Sequence, residues 1–477
     1  MPTTAELIAR GARQHGGRTA LLCGDERLDF AETNELAQRL AGALRARGLE
    51  RVGLLVDNRL ESVPLDFACV KAGIARVPLN SRLAEPEQRE ILRLGGAQLL
   101  VADREAELGV ETLPLAALLA AAHGFPAEEP PEPELEAPLL LLATSGTTGK
   151  LKLVRHTQAS YAAVVANILA NLLRPEPDDV MLHAASLIHA SGTFVLPFWL
   201  HGAASAVLPG FTPAEFLAAI PRWRVTHTNV VPTMLAALLA ARGAEDLSSL
   251  RCVVYGASPM PRPLLERAIA EWGGIFVQYY GQTEAPLCIA VLRPEDHEGE
   301  RLLSCGQPAV DAEVRLDPET GEILVRAPFV ARGYVGDEEL SAATFPPDGW
   351  VRTRDVGRFD EEGFLYLIDR TSDMIVTGGY NVYPREVEDA LAAHPAVREC
   401  VVVGAPDDTW VEAVTAFVVP AGEVGEGELV EHCRGLLAGY KVPKSVRFVD
   451  EIPKSPVGKL LRRALRDPLW EGRERPI

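Results

Sequence analysis

The sequence predicts an α/β chain whose parallel sheets are covered by helices, because short apolar strands alternate with amphipathic helices. Arg51–Val56 reads as a buried strand, and Leu65–Ala72 as a helix with Pro64 in its first turn. Ala75–Leu79 and Gln98–Ala102 read as further strands. Near the start, Thr3 and Glu6 have the spacing of a helix capping box. The Pro- and Glu-rich segment from Pro126 to Pro138 reads as a solvated connector. It runs into Leu139–Leu142, an apolar run suited to a strand buried on both faces. From Gly321 to Asp369 the texture changes to short strands and turns, as in Gly321–Ala327 and Gly363–Ile368. After Arg370 a small α+β unit is expected, with helices at Val382–Leu391 (beginning near Pro384) and Gly427–Leu437. Its strands fall at Cys400–Val403 and Ala413–Val419. The expected division is a large domain over 1–370 and a small one over 371–477.

Bulk properties exclude several function classes. The chain has 477 residues, with 47 basic against 66 acidic, a formal charge of −19. That surface repels phosphate backbones, so nucleic-acid binding is not expected. Cysteines at 23, 69, 252, 288, 305, 400 and 433 form no CxxC pair, which suits reduced thiols and a cytoplasmic location. The histidines show no HExxH spacing, so a zinc site is not expected. Glu6, Arg10 and Arg13 interrupt the N-terminus, unlike a signal peptide. Val180 to Ala214 carries no Asp, Glu, Lys or Arg, and reads either as a membrane span or as buried core. His183, His189, His201, Gly192, Gly202 and Pro197 within it favour core.

Thr144-Ser145-Gly146-Thr147-Thr148-Gly149-Lys150 follows the apolar strand. Glycine lets a backbone approach an anion closely, hydroxyls add donors and Lys150 adds charge. The loop reads as a polyphosphate nest or as a flexible Ser/Gly loop. It lacks the G-x-x-x-x-G-K-[ST] spacing of a Walker A loop.

The remaining motifs narrow the choice. That loop is followed by Tyr280-Gly281-Gln282-Thr283-Glu284, Thr353-Arg354-Asp355, Asp369-Arg370 and Pro456-Val457-Gly458-Lys459. In this order and spacing the chain resembles the adenylate-forming superfamily, which includes acyl-CoA synthetases, luciferases and peptide-synthetase adenylation domains. The resemblance runs from Leu28 to Arg463. It implies a large N-terminal domain of parallel-sheet subdomains with a small β-barrel-like subdomain. A mobile C-terminal domain follows, hinged near Arg370–Ser372. It implies ATP-dependent formation of an acyl-AMP, then thioester formation with CoA.

Roles follow from the same resemblance. Glu284 would bind Mg²⁺, and Thr283 and Thr144 would act at the reacting phosphate. Ser145 to Lys150 would cradle the outer phosphates. Gly256, Ala257 and Ser258 would form one wall of the adenine slot, with Tyr279 and Tyr280 opposite; a packed aromatic pair is the alternative for those tyrosines. Gly281 belongs to the same motif. Asp355 would accept the ribose hydroxyls, assisted by Arg370. Lys459 would reach the carboxylate and the α-phosphate. Gly378 and Gly379 would line the pantetheine tunnel. Lys441 is either a contact to a CoA phosphate or a surface lysine.

The acyl pocket is expected to be lined by His189, Ser191, Gly192, Asn229, Val230, Val231, Tyr255 and Leu287. His189 reads as an aromatic gate or as a core histidine. None of these positions is Lys, Arg, Asp or Glu, so an α-ammonium would lack a partner and a hydrophobic acid is expected. An acyl-carrier protein is the competing acceptor, since it presents the same pantetheine arm. A luciferase-like oxygenase and a binding or scaffold homologue with decayed catalysis are further alternatives. Lys459, Glu284 and Asp355 together argue against decay. A homo-oligomer is compatible with the sequence. Five residues depart from the usual pattern: Leu151 and Leu153 after the loop, Arg354 and Asp369 where Gly is common, and Ser372 at the hinge.

Overall fold

The computed structural model describes residues 2–145, 151–258, 260–370, 373–377, 380–407, 410–454 and 460–471. Two large sheets carry the first part of the chain. The six-stranded sheet runs Thr112–Pro114, Leu99–Ala102, Arg51–Leu55, Ala75–Pro78, Pro138–Ser145, Leu151–Thr157. All neighbours are parallel except the last pair, a hairpin that brackets the Ser/Thr/Gly loop. The nine-stranded sheet has a parallel centre from Phe276–Gln282 to Thr19–Cys23 and antiparallel strands at both edges. The segment without charges is part of this sheet, supplying Val180–His183 and Ala204–Val207. Among the described residues no helix is long and apolar enough to cross a membrane.

The short-stranded region is a four-stranded antiparallel sheet, Glu313–Leu316, Glu322–Arg326, Val351–Phe359 and Leu365–Arg370. A five-stranded sheet follows, with the helices Pro384–Ala392 and Glu426–Leu436 contributing to its core.

Several local expectations need correction. Leu139 and Leu141 are buried, but Leu140 and Leu142 face a cavity, so the strand is not core on both sides. Its period-2 alternation serves two environments. Val382 ends the strand Tyr380–Val382 instead of opening a helix, which begins at Pro384. Only half of the capping box forms: Thr3 Oγ1 accepts from the Glu6 amide at 3.1 Å, while the Glu6 carboxylate pairs with Arg13. The 126–138 connector is exposed yet anchored. Its Glu129 accepts from the buried Lys71 at 2.6 Å and from Gln38 at 2.8 Å, and its Glu132 accepts from Thr3 at 2.6 Å.

All seven cysteines are free thiols. Burial pushes Cys69, Cys252 and Cys305 up to about 12, which leaves them unreactive.

Candidate active site

A cavity of about 1050 Å³ opens where the two large sheets, the short-stranded sheet and the C-terminal unit meet. It gathers Thr144, Thr283 and Glu284 with Ala257, Ser258, Tyr279 and Gly281. The expected acyl residues His189, Ser191, Gly192, Asn229, Val231 and Leu287 line the same space. Asn229 Oδ1 is buried and has no hydrogen-bond partner among the described residues, which leaves an acceptor at the wall.

Strand geometry explains the two misses in the acyl list. Val230 and Tyr255 are register partners on adjacent parallel strands, so their side chains share a face. That face is the core, where both are 1% exposed. The Tyr255 hydroxyl is taken up there by His297 Nε2 at 3.0 Å and Gln278 at 3.2 Å. Asn229 and Val231, one residue either side of Val230, reach the cavity.

The tyrosine pair divides its work. Tyr279 lines the cavity, while Tyr280 lies behind the wall and donates to Asp355 Oδ2 at 2.7 Å. Gln282 Nε2 donates to the same oxygen at 3.3 Å. Asp355, 5% exposed, therefore sits one layer beneath the lining, although the resemblance implies that it accepts the ribose hydroxyls. Gly256 is also behind the wall. A Cβ there would lie 2.6 Å from the Tyr279 carbonyl and 2.8 Å from its ring, so only glycine lets that ring close on the strand.

Lys441 is paired with Glu386 and does not line the cavity. Gly146 to Lys150, Gly378, Gly379, Ser372 and Lys459 lie outside the described residues, as do the side chains of Ser145, Asp369 and Arg370.

The sequence signature of the AMP-binding enzyme family matches residues 8–335, and that of the AMP-binding enzyme C-terminal domain matches 386–459. The chain belongs to the AMP-binding enzyme family. It is similar to the medium/long-chain-fatty-acid–CoA ligase FadD8 of Mycobacterium tuberculosis, 36% identical over 99% of this chain and 91% of the relative. It is 38% identical to a feruloyl-CoA synthase from Amycolatopsis sp, over 96% of this chain and 97% of the relative. A solved structure of o-succinylbenzoate CoA synthetase (MenE) from Bacillus subtilis, in complex with the acyl-adenylate intermediate OSB-AMP, superposes with a TM-score of 0.88. The two are 34% identical and cover 98% of each chain.

In this AMP-binding enzyme, several residues that motif reading missed support the site. Lys152 pairs across the hairpin with Thr144, and both line the cavity. Leu153 is buried and Leu151 packs against the same cluster, so Leu-Lys-Leu is one strand alternation with the cation facing inward. Desolvation, then the nearby Arg354, lowers the Lys152 pKa, while Asp337 and Glu284 oppose that shift. Tyr334 donates to Glu284 Oε1 at 2.7 Å and fixes the carboxylate.

His156 Nε2 lies 2.8 Å from the Thr283 carbonyl, and its Nδ1 lies 3.3 Å from Ser160 Oγ. With Nε2–H donating, the ring holds the Thr283–Glu284 turn from behind. Arg354 explains the preference for glycine at its position: its φ is +61°. An L-residue there costs about 1–2 kcal/mol. Ala257 at +64° and Leu287 at +60° share this conformation, and all three line the cavity. Backbone strain is thus concentrated at the site.

Three buried histidines, and the half-buried His189 at the cavity wall, give a pH dependence. Burial pushes His156, His189 and His227 down to about 4, and His183 down to about 3. Unfolded, each returns to about 6.5, so the unfolded chain takes up protons first as pH falls. Their contribution is fully present above about pH 6.5 and is lost as pH falls through the folded values. Tm is expected to fall already between about pH 6.5 and 5, above the carboxylate range, with net proton uptake on unfolding. A flat Tm over that window, read by calorimetry in several buffers, would contradict four neutral rings in the folded protein.

Proposed function

We propose that this chain activates a carboxylic acid with ATP and passes the acyl group to CoA. The observation that carries this reading is one cavity shared by the adenine wall, the Thr283–Glu284 acid and a mostly apolar acyl wall. A carboxylate oxygen of the substrate attacks the α-phosphorus. The bond from that phosphorus to the bridging oxygen breaks, giving acyl-AMP and pyrophosphate. In the second step the CoA thiolate attacks the acyl carbonyl, and AMP leaves with the electron pair.

Thr144 and Lys152 face the phosphates from the hairpin, and Lys459 supplies a further cation from the C-terminal unit. Asp355, held by Tyr280 beneath the lining, acts on the ribose through Gln282, which bonds to it and lines the cavity. The donors at Glu284 suit Mg²⁺: Oε2 carries no hydrogen bond from the described residues, and Mg²⁺ needs only one or two carboxylates beside phosphate oxygens. When bound, it neutralises charge developing on the phosphate oxygens.

His189, neutral and 3.2 Å from Asn80 Nδ2, forms the gate of the acyl wall. The absence of Lys, Arg, Asp and Glu among Ser191, Asn229, Val231 and Leu287 favours an acid without an α-ammonium. Gly378 and Gly379 belong to the CoA path, and the hinge between 1–370 and 371–477 lies near Arg370–Ser372. The CoA ligases among the relatives support CoA as acceptor.

A panel of carboxylic acids, scored by pyrophosphate release, tests the first step. Product formation with CoA, a phosphopantetheinylated carrier protein or neither tests the second. An amino acid preferred over all apolar acids would reject the pocket reading; a thioester formed only on the carrier protein would reject CoA.

A further inference from the structure

The cavity extends well past the residues assigned to the acyl wall. It also takes in Ile8 of the first helix, Val70 of the helix Ser62–Ala72, and Val195 and Leu196. This lobe is mostly apolar, with the hydroxyls of Thr4, Ser62 and Thr193 on its wall and one charged cluster, Asp66 and Arg76 beside Tyr161. Arg76 stands in the otherwise apolar strand Ala75–Pro78 and is 4% exposed. Its Nη1 is paired with Asp66, and its Nε donates to the Leu139 carbonyl at 3.2 Å. Its guanidinium carbon lies 5.7 Å from the centre of the Tyr161 ring. Nη2 is buried and has no hydrogen-bond partner among the described residues.

An unsatisfied buried donor of a charged group is costly, and a ligand acceptor would remove that cost. The charges select which acceptor. Arg76 and Asp66 sum to zero, so a second carboxylate would be repelled by Asp66 and an ammonium by Arg76. An uncharged oxygen satisfies Nη2 without either penalty.

We infer that Arg76 Nη2 is a specificity contact for an uncharged acceptor oxygen, hydroxyl, ether or keto, on the part of the acyl substrate farthest from its carboxylate. The inference rests on the proposed adenylation and narrows its substrate from an apolar acid to an apolar acid with one distal oxygen. Asp66 holds the guanidinium in place, and the Tyr161 ring limits its swing. Burial raises the Tyr161 pKa, so its hydroxyl stays protonated while engaged with Thr193 and the Arg76 side chain.

The test uses matched acids that differ by oxygen against methylene. The pairs are 4-methoxycinnamic with 4-ethylcinnamic acid, and 7-methoxyheptanoic with nonanoic acid. Binding is measured by isothermal titration and turnover by pyrophosphate release. For at least one pair the ether is expected to bind and react about 10- to 100-fold better, the worth of one hydrogen bond to a charged donor. In Arg76→Met the ether-to-methylene ratio falls to about one. Should that variant not fold, the double variant R76M/D66N, which removes both charges, gives the same comparison. Ratios near one for both pairs in the unaltered enzyme would overturn the contact, since water would then suffice for Nη2. A binding ratio that holds without pyrophosphate release would leave the contact standing and reject adenylation. Release with a binding ratio of one would do the reverse.

Discussion

Lys459→Ala is expected to lower acyl-adenylate formation by about 10²–10³-fold or more, the scale of losing one preorganised charge-stabilising donor. Thioester formation from supplied acyl-AMP is expected to survive far better, because that step no longer involves the triphosphate. Three observations support the assignment. The C-terminal family signature spans 386–459 and so includes this lysine. Its neighbour Leu460 lines the cavity and forms an isolated antiparallel β-bridge with Lys454. Arg462, two residues farther on, pairs with Glu388 and Asp373, so the segment is tied to its own unit. Single-turnover kinetics on the two half-reactions decides the matter, and equal loss in both would reject the role.

Glu284→Gln is expected to lower pyrophosphate release about 10²-fold and to raise the Mg²⁺ concentration needed for half-maximal rate. The amide keeps the shape of the side chain but loses the charge. Tyr334→Phe separates charge from orientation. It removes the 2.7 Å bond to Oε1 while leaving the carboxylate, so a loss of roughly 10-fold is expected, the scale of one hydrogen bond to a charged group. If Glu284→Gln left the Mg²⁺ requirement unchanged, the carboxylate would have only a structural place in the turn.

Local chemistry made much of this architecture legible. The alternation of strands and helices announces the parallel sheets, because a parallel strand needs a crossover and a helix supplies it. Most of the large-domain motif residues whose side chains are described do reach one cavity. What escaped was set by side-chain parity and by contacts across long sequence separations. Val230 and Val231 are chemically alike, yet Val230, the last residue of its strand, faces the core while Val231, just beyond it, lines the cavity. Lys152 was hidden between two leucines that looked like departures from a motif. His156 acts on a backbone carbonyl 127 residues away, and Tyr280 on a carboxylate 75 residues away. Arg76 looked like an ordinary charge in a strand until its neighbours were known.

The anchored connector has a consequence for handling the protein. Exposed, Pro- and Glu-rich connectors invite cleavage, and 126–138 has that composition. Three of its carboxylates, Glu129, Glu132 and Glu136, nevertheless hold Lys71, Thr3 and Arg332, which belong to three distant parts of the chain. A protease such as the glutamate-specific type should therefore cut it slowly at neutral pH and faster once the carboxylates are protonated. The rate of a single nick would thus report, without substrate, whether the connector is still fastened to those three parts of the chain.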